Sequence, residues 1–330
     1  MATTSRSTTV LAGLADIRGW QEEFYRDLHQ HPELSRQENR TAARVAERLR
    51  AIGFSVHEGI GGTGVVAVLG NGDGPTVLLR ADMDALPVKE ATGLPYASTT
   101  TATDAAGGEV PVMHACGHDV HVTCLLGAAQ LLAEGAEHWS GTAVALFQPA
   151  GETAPEETAV LTVGSIAAGT KSNVISDHAV LQLNVRTYSD ATRTAILDAI
   201  DRIVVAECQA SRSPQDPEFE LFERFPLTDN DPDITARVAT AFAAHFGDRS
   251  TAMPMQTASE DFGDIRTALG VPYTYWGFGG IDPDTYRKAE QAGRVSQDIP
   301  VNHSATFATV LQPTLDTGTE ALVVAALAWL

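Results

Sequence analysis

Two short apolar runs, each followed by acidic side chains, most constrain how this chain can fold. The first, residues 77–79, leads into Asp82 and Asp84, and the second, residues 141–147, leads into Glu152. Apolar runs of this length are typical of buried strands in the parallel sheets of α/β proteins. Because open α/β sheets place their active sites at the carboxyl ends of such strands, we expect these carboxylates to gather at one edge.

A stretch rich in metal-ligand side chains lies between the two runs. Residues 114–121 contain three histidines, a cysteine and an aspartate. Cys116 and His118 offer a thiolate and an imidazole, which a borderline-soft divalent metal accepts. Gly117 between them allows a sharp turn. A cysteine nucleophile paired with His118, or a buried cysteine beside surface histidines, would also explain the pattern, but a metal site is the favoured interpretation.

The acidic pair after the first run supports that interpretation. Asp82 and Asp84 share one side of an extended chain, because side chains alternate with a period of two residues. Taken alone, a solvated acidic turn is an alternative explanation. Together with Cys116 and His118, acidic and ligand-type residues fit a metal site better.

Composition excludes several classes of protein. Among 330 residues, 44% are hydrophobic and 19% charged, which is ordinary for a globular protein. The net charge of -20 argues against a nucleic-acid partner, because such proteins present a basic face. Three cysteines make a disulfide framework unexpected and fit a reducing cytoplasm. No apolar run approaches the ~20 residues of a membrane span, so we expect no membrane association.

The remaining elements follow from hydrophobic periodicity. It predicts helices over residues 11–29, 38–52, 120–132, 234–246 and 262–269, and strands over 54–56, 64–69 and 273–278. Residues 91–110 form a long polar loop. The glycine-rich residues 59–64 lack the Gly-Lys-Ser/Thr ending of a phosphate loop, so a hairpin turn is predicted there.

Several motifs in a fixed order are similar to those of the M20 metallopeptidase family, in the amidohydrolase branch of aminoacylases, hippurate hydrolases and auxin-conjugate hydrolases. The motifs are residues 27–35, 80–87, 114–119, 147–150, 173–175, 259–262 and 302–304. The resemblance implies a mixed, mainly parallel sheet flanked by helices, with a small inserted α+β lid domain. It also implies hydrolysis of the amide bond of N-acyl amino acids or related conjugates by a pair of divalent metals, such as Mn, Zn, Co or Ni.

The resemblance also assigns roles to individual residues. It implies that Cys116, His118, Glu152 and His303 are metal ligands, and that Asp82, Asp84 and Glu260 are acidic catalytic residues near the metals. Without the resemblance, Glu260 would be interpreted as an acid at a helix start, and His303 as a lone loop histidine.

The chain departs from the family pattern after the second apolar run. Gly151 stands where the family has a general-base glutamate, and Glu152 matches the ligand that follows it. Residues 153–158 then run directly into a segment that resembles the middle of the lid, where relatives place on the order of a hundred more residues, about a small domain. The resemblance implies that a further histidine ligand lies in the missing part.

The shortened lid sets the expected domain division. We predict a catalytic domain from residues 1–155 and 227–330, with a lid remnant at 156–226. The remnant is predicted to contain strands 159–167, 179–187 and 217–225, and helix 190–210. Its missing first strand predicts either an exposed edge or pairing with a second chain in a homodimer.

Two lid residues are candidates for holding a substrate. Asn173, by resemblance, and Arg186, by its chemistry, could grip a carboxylate or polarise a carbonyl. A turn asparagine and a strand-edge arginine are the alternatives.

Two functions therefore stay open. The first is an active metal-dependent amidohydrolase, impaired by the loss of the glutamate. The second is a catalytically silent scaffold that binds metal or oligomerises. Loss of a general base typically costs about 10²–10⁴ in rate, so weak turnover remains compatible with Gly151.

Overall fold

The computed structural model describes residues 2–105, 107–149, 159–169, 173, 178–187, 189–222, 225–254 and 261–330. The chain forms two compact units. The first comprises Met1–Gly151, Asn230–Met253 and Thr274–Leu330, and the second Glu152–Asp229 and Pro254–Tyr273. The domain division given above stays a prediction.

The elements follow one another in a mixed α/β order. Up to residue 148 they are α1 (Ala2–Val10), α2 (Leu14–Gln30), α3 (Asn39–Ala51), β1 (Ser55–Ile60), β2 (Gly64–Asn71), β3 (Thr76–Asp82), β4 (Thr101–Thr103), β5 (Glu109–Pro111), α4 (His118–Glu134) and β6 (Gly141–Gln148). After that come β7 (Ala159–Ala168), β8 (Ala179–Thr187), α5 (Asp190–Ala210), α6 (Pro232–Phe246), α7 (Phe262–Leu269), α8 (Pro283–Gln291), α9 (Val295–Asp298) and α10 (Leu311–Leu327).

A four-stranded mixed sheet forms the centre of the first unit, with strand order β1-β2-β6-β3. β3 and β6 run parallel, whereas β6 pairs antiparallel with β2, and β2 with β1. The mixed sheet is as predicted, but its parallel share is smaller than expected among the described strands. The predicted hairpin turn accounts for the antiparallel β1–β2 pair, since Gly61 and Gly62 have φ of 63° and 113° and return β2 against β1.

Helix α4 lies in the core behind this sheet. Its sequence is apolar around most of its circumference, which predicts a helix buried on all sides. Leu125, Leu126, Leu131 and Leu132 are each at most 1% exposed. α4 packs against α2 and α10, and a Cβ on Gly127 would stand 2.1 Å from Nε2 of Gln21. This close approach holds the middle of α4 against α2.

The second unit is a two-stranded sheet with a helix. β7 and β8 pair antiparallel and α5 follows, as the sequence predicts. Ser189 caps α5, since its Oγ accepts a hydrogen bond from the Thr192 amide at 3.1 Å. Several large apolar side chains of the two strands are half or more exposed: Leu161, Val163, Ile166, Val180 and Leu181.

Two predicted strands are wrong. The described part of 217–225 is irregular, with Leu221 72% exposed. Residues 273–278 also form no ladder, because the side-chain amide of Asn230 takes the place of a neighbouring strand. It donates to the Tyr275 carbonyl at 2.9 Å and accepts from the Tyr275 amide at 2.7 Å. Tyr273 and Tyr275 alternate as in a strand, but pairing decides whether a strand forms.

Within the described ranges, no helix combines the length and the apolar character needed to cross a bilayer.

Candidate metal centre

The carboxyl end of β3 carries two buried aspartates. Asp82 and Asp84 are 1% and 3% exposed. The Arg80 guanidinium contacts the Asp82 carboxylate at 2.5 Å and donates from Nε to the Gln148 side-chain oxygen at 2.8 Å. Asp82 lies opposite Gln148 in the parallel ladder, so one arginine ties together the ends of both strands. Burial therefore excludes the solvated acidic turn for this pair.

The first turn of α4 delivers imidazoles to these aspartates. Gly117 precedes it with φ of 85°, a conformation that favours glycine. Nδ1 of His118 lies 2.9 Å from Oδ1 of Asp84 and 2.9 Å from its carbonyl oxygen. An imidazole whose Nδ1–H is donated to these acceptors keeps its lone pair on Nε2, which is the state that binds a metal.

Asp82 and His121 lie near that nitrogen. Nε2 of His118 is 4.0 Å from Oδ2 of Asp82, and Nδ1 of His121 is 3.9 Å from the same oxygen. One ligand atom from each residue lies within 4.8 Å of the others. These separations exceed hydrogen-bond length, and they suit donors around an ion with bonds of about 2.0–2.2 Å. The residues present therefore fit a divalent metal.

His121 is the site residue that the sequence-based ligand assignment omitted. Its side chain is 33% exposed, so it opens the site on one side. The available signal was its spacing from His118, because residues at i and i+3 share one face of a helix. Asp82, expected as an acidic catalytic residue, here belongs to the possible ligand set itself.

The segments that carry the predicted ligands Cys116 and His303 are hydrogen-bonded to each other. The His303 amide donates to the Ala115 carbonyl at 2.8 Å. The Asn302 side-chain amide donates to Sγ of Cys116 at 3.6 Å. The 302–303 segment thus runs beside the segment that carries Cys116 and His118. The ligand roles of Cys116 and His303 stay predictions.

Four further residues were predicted for the site. Glu152 and Glu260 fall outside the described residues. Asn173 is exposed, and Arg186 is 8% exposed and donates from Nε to Oδ1 of Asn184 at 2.8 Å. Both belong to the second unit, and their roles as substrate ligands stay predictions.

A cleft of about 250 Å³ opens beside the candidate metal centre. Its lining includes Cys116, His121, Trp276, Phe278 and Asn302. The rings of His121 and Phe278 are 6.2 Å apart between centroids. Polar ligand-type side chains on one wall and aromatic faces on another are typical of small-molecule sites.

Behind the centre lies a second group of buried ionisable side chains. Nδ1 of His29 is 2.7 Å from Oδ2 of Asp119, and its Nε2 is 3.1 Å from Oε1 of Glu90. Burial works to lower the pKa of His29, but the two carboxylates outweigh it and raise the pKa to about 9. Nearby His114 is 2% exposed, and burial lowers its pKa to about 4. Sequence reasoning missed the pairing of His29 with Glu90, because nothing in the spacing links them.

The chain is similar in sequence to a known protein family and to several named enzymes. The family model described as Peptidase family M20/M25/M40 matches residues 78–311. Thermostable carboxypeptidase 2 of Saccharolobus solfataricus is 29% identical over 313 residues, covering 68% of this chain and 77% of that protein. The N-acetyl-L-cysteine deacetylase of Bacillus subtilis is 44% identical over 142 residues, 43% of this chain and 32% of that protein. The hippurate hydrolase of Campylobacter jejuni is 44% identical over 140 residues, 42% of this chain and 34% of that protein.

The matched region is therefore about a third of the length of these two amidohydrolases. Among solved structures, the Bacillus subtilis YXEP protein, described as a dinuclear metal binding peptidase from M20 family, has a TM-score of 0.70 at 24% identity. That superposition covers 95% of this chain and 98% of the other. The likeness confirms the mixed α/β fold. The family model confirms the resemblance found in the motifs: this chain belongs to Peptidase family M20/M25/M40.

Proposed function

We propose that this chain binds divalent metal and hydrolyses the amide bond of N-acyl amino acids or related conjugates. The observation that carries the proposal is the group of Asp82, His118 and His121 at the carboxyl end of β3, with His118 held from behind by Asp84. Two imidazoles and a carboxylate suit Zn, Mn, Co or Ni.

The residues divide into those that would hold metal and those that orient them. Asp82, His118 and His121 would hold one ion, and Cys116, Glu152 and His303 are the candidates for completing a pair. A divalent ion bound there supplies Lewis-acid chemistry towards the amide carbonyl. Asp84 keeps the His118 proton on Nδ1, and Arg80 keeps Asp82 at the strand end.

The cleft beside the centre supports a small-molecule substrate. Trp276 and Phe278 offer apolar faces for an acyl group, close to Cys116 and His121. The names of the deacetylase and hippurate hydrolase relatives give N-acyl amino acids as the substrate class. Asn173 and Arg186 are proposed to grip the substrate carboxylate.

Metal content and hydrolysis test this proposal together. Elemental analysis of protein purified without chelator, and again after Mn or Zn loading, is expected to give about two ions per chain. A panel of N-acetyl and N-benzoyl amino acids then reports hydrolysis through release of the free amine. His118→Ala should lose both properties, whereas the matched change at exposed His57 should keep them. Metal content below one ion in loaded wild-type protein would contradict the proposal.

One sequence feature favours a second candidate, a catalytically silent scaffold. Gly151 occupies the position of the family's general base and offers no carboxylate. Gly151→Glu in metal-loaded protein should raise hydrolysis by about 10²–10⁴ if the missing base is the main defect. No hydrolysis in either form, with metal bound, would favour the scaffold.

The assembly and location are proposed on separate grounds. The exposed apolar side chains of β7 and β8 support a homodimer through the second unit. The three cysteines, all within the described ranges, form no disulfide, which supports a cytoplasmic location, and the net charge of -20 argues against a nucleic-acid partner. Light scattering of Ile166→Lys should show loss of a dimer that wild-type protein forms.

A further inference from the structure

His29 lies between two carboxylates that come from different parts of the chain. The distances are 2.7 Å to Asp119 and 3.1 Å to Glu90. The His29 and Asp119 side chains are 2% exposed, and the Glu90 side chain is 0% exposed. A carboxylate only accepts hydrogen bonds, so an imidazole placed between two of them donates from both nitrogens and carries a positive charge.

The first carboxylate belongs to the segment that delivers the candidate ligands. Asp119 directly follows His118 in the first turn of α4. Its Oδ1 accepts from the Val120 amide at 2.9 Å, and its carbonyl accepts from the Thr123 hydroxyl at 2.7 Å. Pinning Asp119 to α2 through His29 therefore fixes the rotation of this turn, and with it the direction of the His118 and His121 side chains.

The second carboxylate organises the loop that supports the His303 segment. Oε2 of Glu90 accepts from the Ser98 amide at 2.6 Å. The next residue, Ala91, donates its amide to the Ala305 carbonyl at 2.7 Å. This hydrogen bond couples the position of Glu90 to that of residues 303–305. His29 thus connects the α4 turn with the segment that carries the predicted ligand His303.

Burial argues that His29 acts through these partners. At 2% exposure it is enclosed by Asp119, Glu90 and the rings of Tyr25 and Tyr96, whose centroids are 5.6 Å and 5.4 Å away. Its two ring nitrogens are both engaged. It therefore offers no free atom to a substrate.

We propose that His29, held between Asp119 and Glu90, is a positioning residue that sets the α4 turn against the His303 segment and so determines metal affinity at the candidate centre. This inference rests on the proposed function, since it assumes that these segments bind metal. Groups that orient metal ligands from behind typically change metal affinity 10–100-fold when they are replaced.

The test compares His29→Gln with a matched change at an exposed histidine, His57→Gln, in the full chain. Titration with Co²⁺ gives the dissociation constant and the visible absorption spectrum of the bound ion. Amide hydrogen exchange of the metal-free protein gives the protection of residues 115–121. We expect His29→Gln to weaken Co²⁺ binding 10–100-fold, to shift the spectrum and to speed exchange at 115–121, while His57→Gln changes none of these.

The outcomes separate this inference from the proposed function. A folded His29→Gln protein with wild-type Co²⁺ affinity, spectrum and exchange would overturn the positioning role. If His29→Gln does not fold, Glu90→Gln decides, with exposed Glu109→Gln as its control. Glu90→Gln is expected to weaken Co²⁺ binding several-fold, and unchanged affinity would overturn the role. Wild-type protein that binds no Co²⁺ contradicts the proposed function, and the exchange at 115–121 then still tests whether His29 positions the turn.

Discussion

The candidate metal centre and the β7–β8 pair differ most in where their side chains lie. Around the centre, ionisable groups such as Asp82 and His118 are at most 2% exposed and each has defined partners. In β7 and β8, apolar side chains such as Ile166 reach 69% exposure. Buried polar groups are stable only when they are paired, whereas exposed apolar ones are typical of surfaces awaiting a partner. In the first unit the polar groups of the centre are thus paired within the chain, whereas in the second unit the apolar faces of β7 and β8 remain exposed to a partner molecule.

Matched truncations give the largest expected contrast. Leu126→Ala, in the buried α4, should lower the free energy of unfolding by about 2–5 kcal/mol because it leaves a cavity. Leu181→Ala, at a β8 side chain that is 53% exposed, should change it by less than about 0.5 kcal/mol. Urea denaturation of both variants measures the difference. Equal losses of unfolding free energy in the two variants would show that β8 is covered in solution. The difference in burial between α4 and β8 would then not hold.

Stability as a function of pH tests how much the buried His29 stabilises the first unit. The pKa of His29 is raised to about 9 from an unfolded value near 6.5. The contribution of His29 to the free energy of unfolding is therefore complete below pH 6.5 and is lost as pH rises through 9. Asp119, Glu90, His114, Tyr25 and Tyr96 face this imidazole, and burial first of all raises the pKa of Tyr25 well above its ordinary value. The shift corresponds to at most about 3 kcal/mol.

The measurement is the urea midpoint at pH 6 and at pH 9.5. Wild-type protein should lose stability between these values, and His29→Gln should lose less. An identical loss in both proteins would assign the pH dependence to other groups.

A smaller effect is expected at the residue behind His118. Asp84→Asn keeps the size of the side chain but weakens its hold on Nδ1, so metal affinity should fall about 10–100-fold. Isothermal titration with Zn or Mn measures the change, and exposed Asp73→Asn is the control. Retained affinity would mean that the Asp84 backbone carbonyl alone orients His118.

The smallest effect tests the second unit. Asn173→Ala should raise KM by about tenfold, the cost of one lost polar contact, while leaving metal affinity unchanged. Steady-state kinetics on the best N-acyl amino acid, with metal titration alongside, separates the two quantities. A fall in metal affinity would instead link this residue to the centre.

Local patterns predicted much of the fold. The apolar runs predicted β3 and β6, and the dense ligand motif before α4 predicted where the centre lies. His121 was omitted because a motif read by resemblance gave no weight to helical spacing. The pairing of His29 with Glu90 depends on how α2 and a distant loop pack, which periodicity does not encode.

The two wrong strands have the same physical origin. Residues 273–278 carry aromatic side chains two positions apart, as strands do, and residues 217–225 carry several apolar side chains, but a strand exists only where a partner satisfies its backbone. At Tyr275 the partner is the Asn230 side chain. A side chain that takes the place of a neighbouring strand is brought there by tertiary packing, so sequence alone could not predict it.

The tie between Arg80 and Gln148 also bears on how the protein is made. These residues stand 68 positions apart, and the parallel register of β3 and β6 must close over the whole intervening segment, including α4. Non-local pairing of this kind is slow, because chain entropy is lost before contacts repay it. During synthesis, we therefore expect the carboxyl end of β3, which carries Asp82, to reach its final position only after β6 has been made. We expect metal uptake at the proposed centre to follow completion of the sheet, so that supplying the ion earlier would not speed assembly.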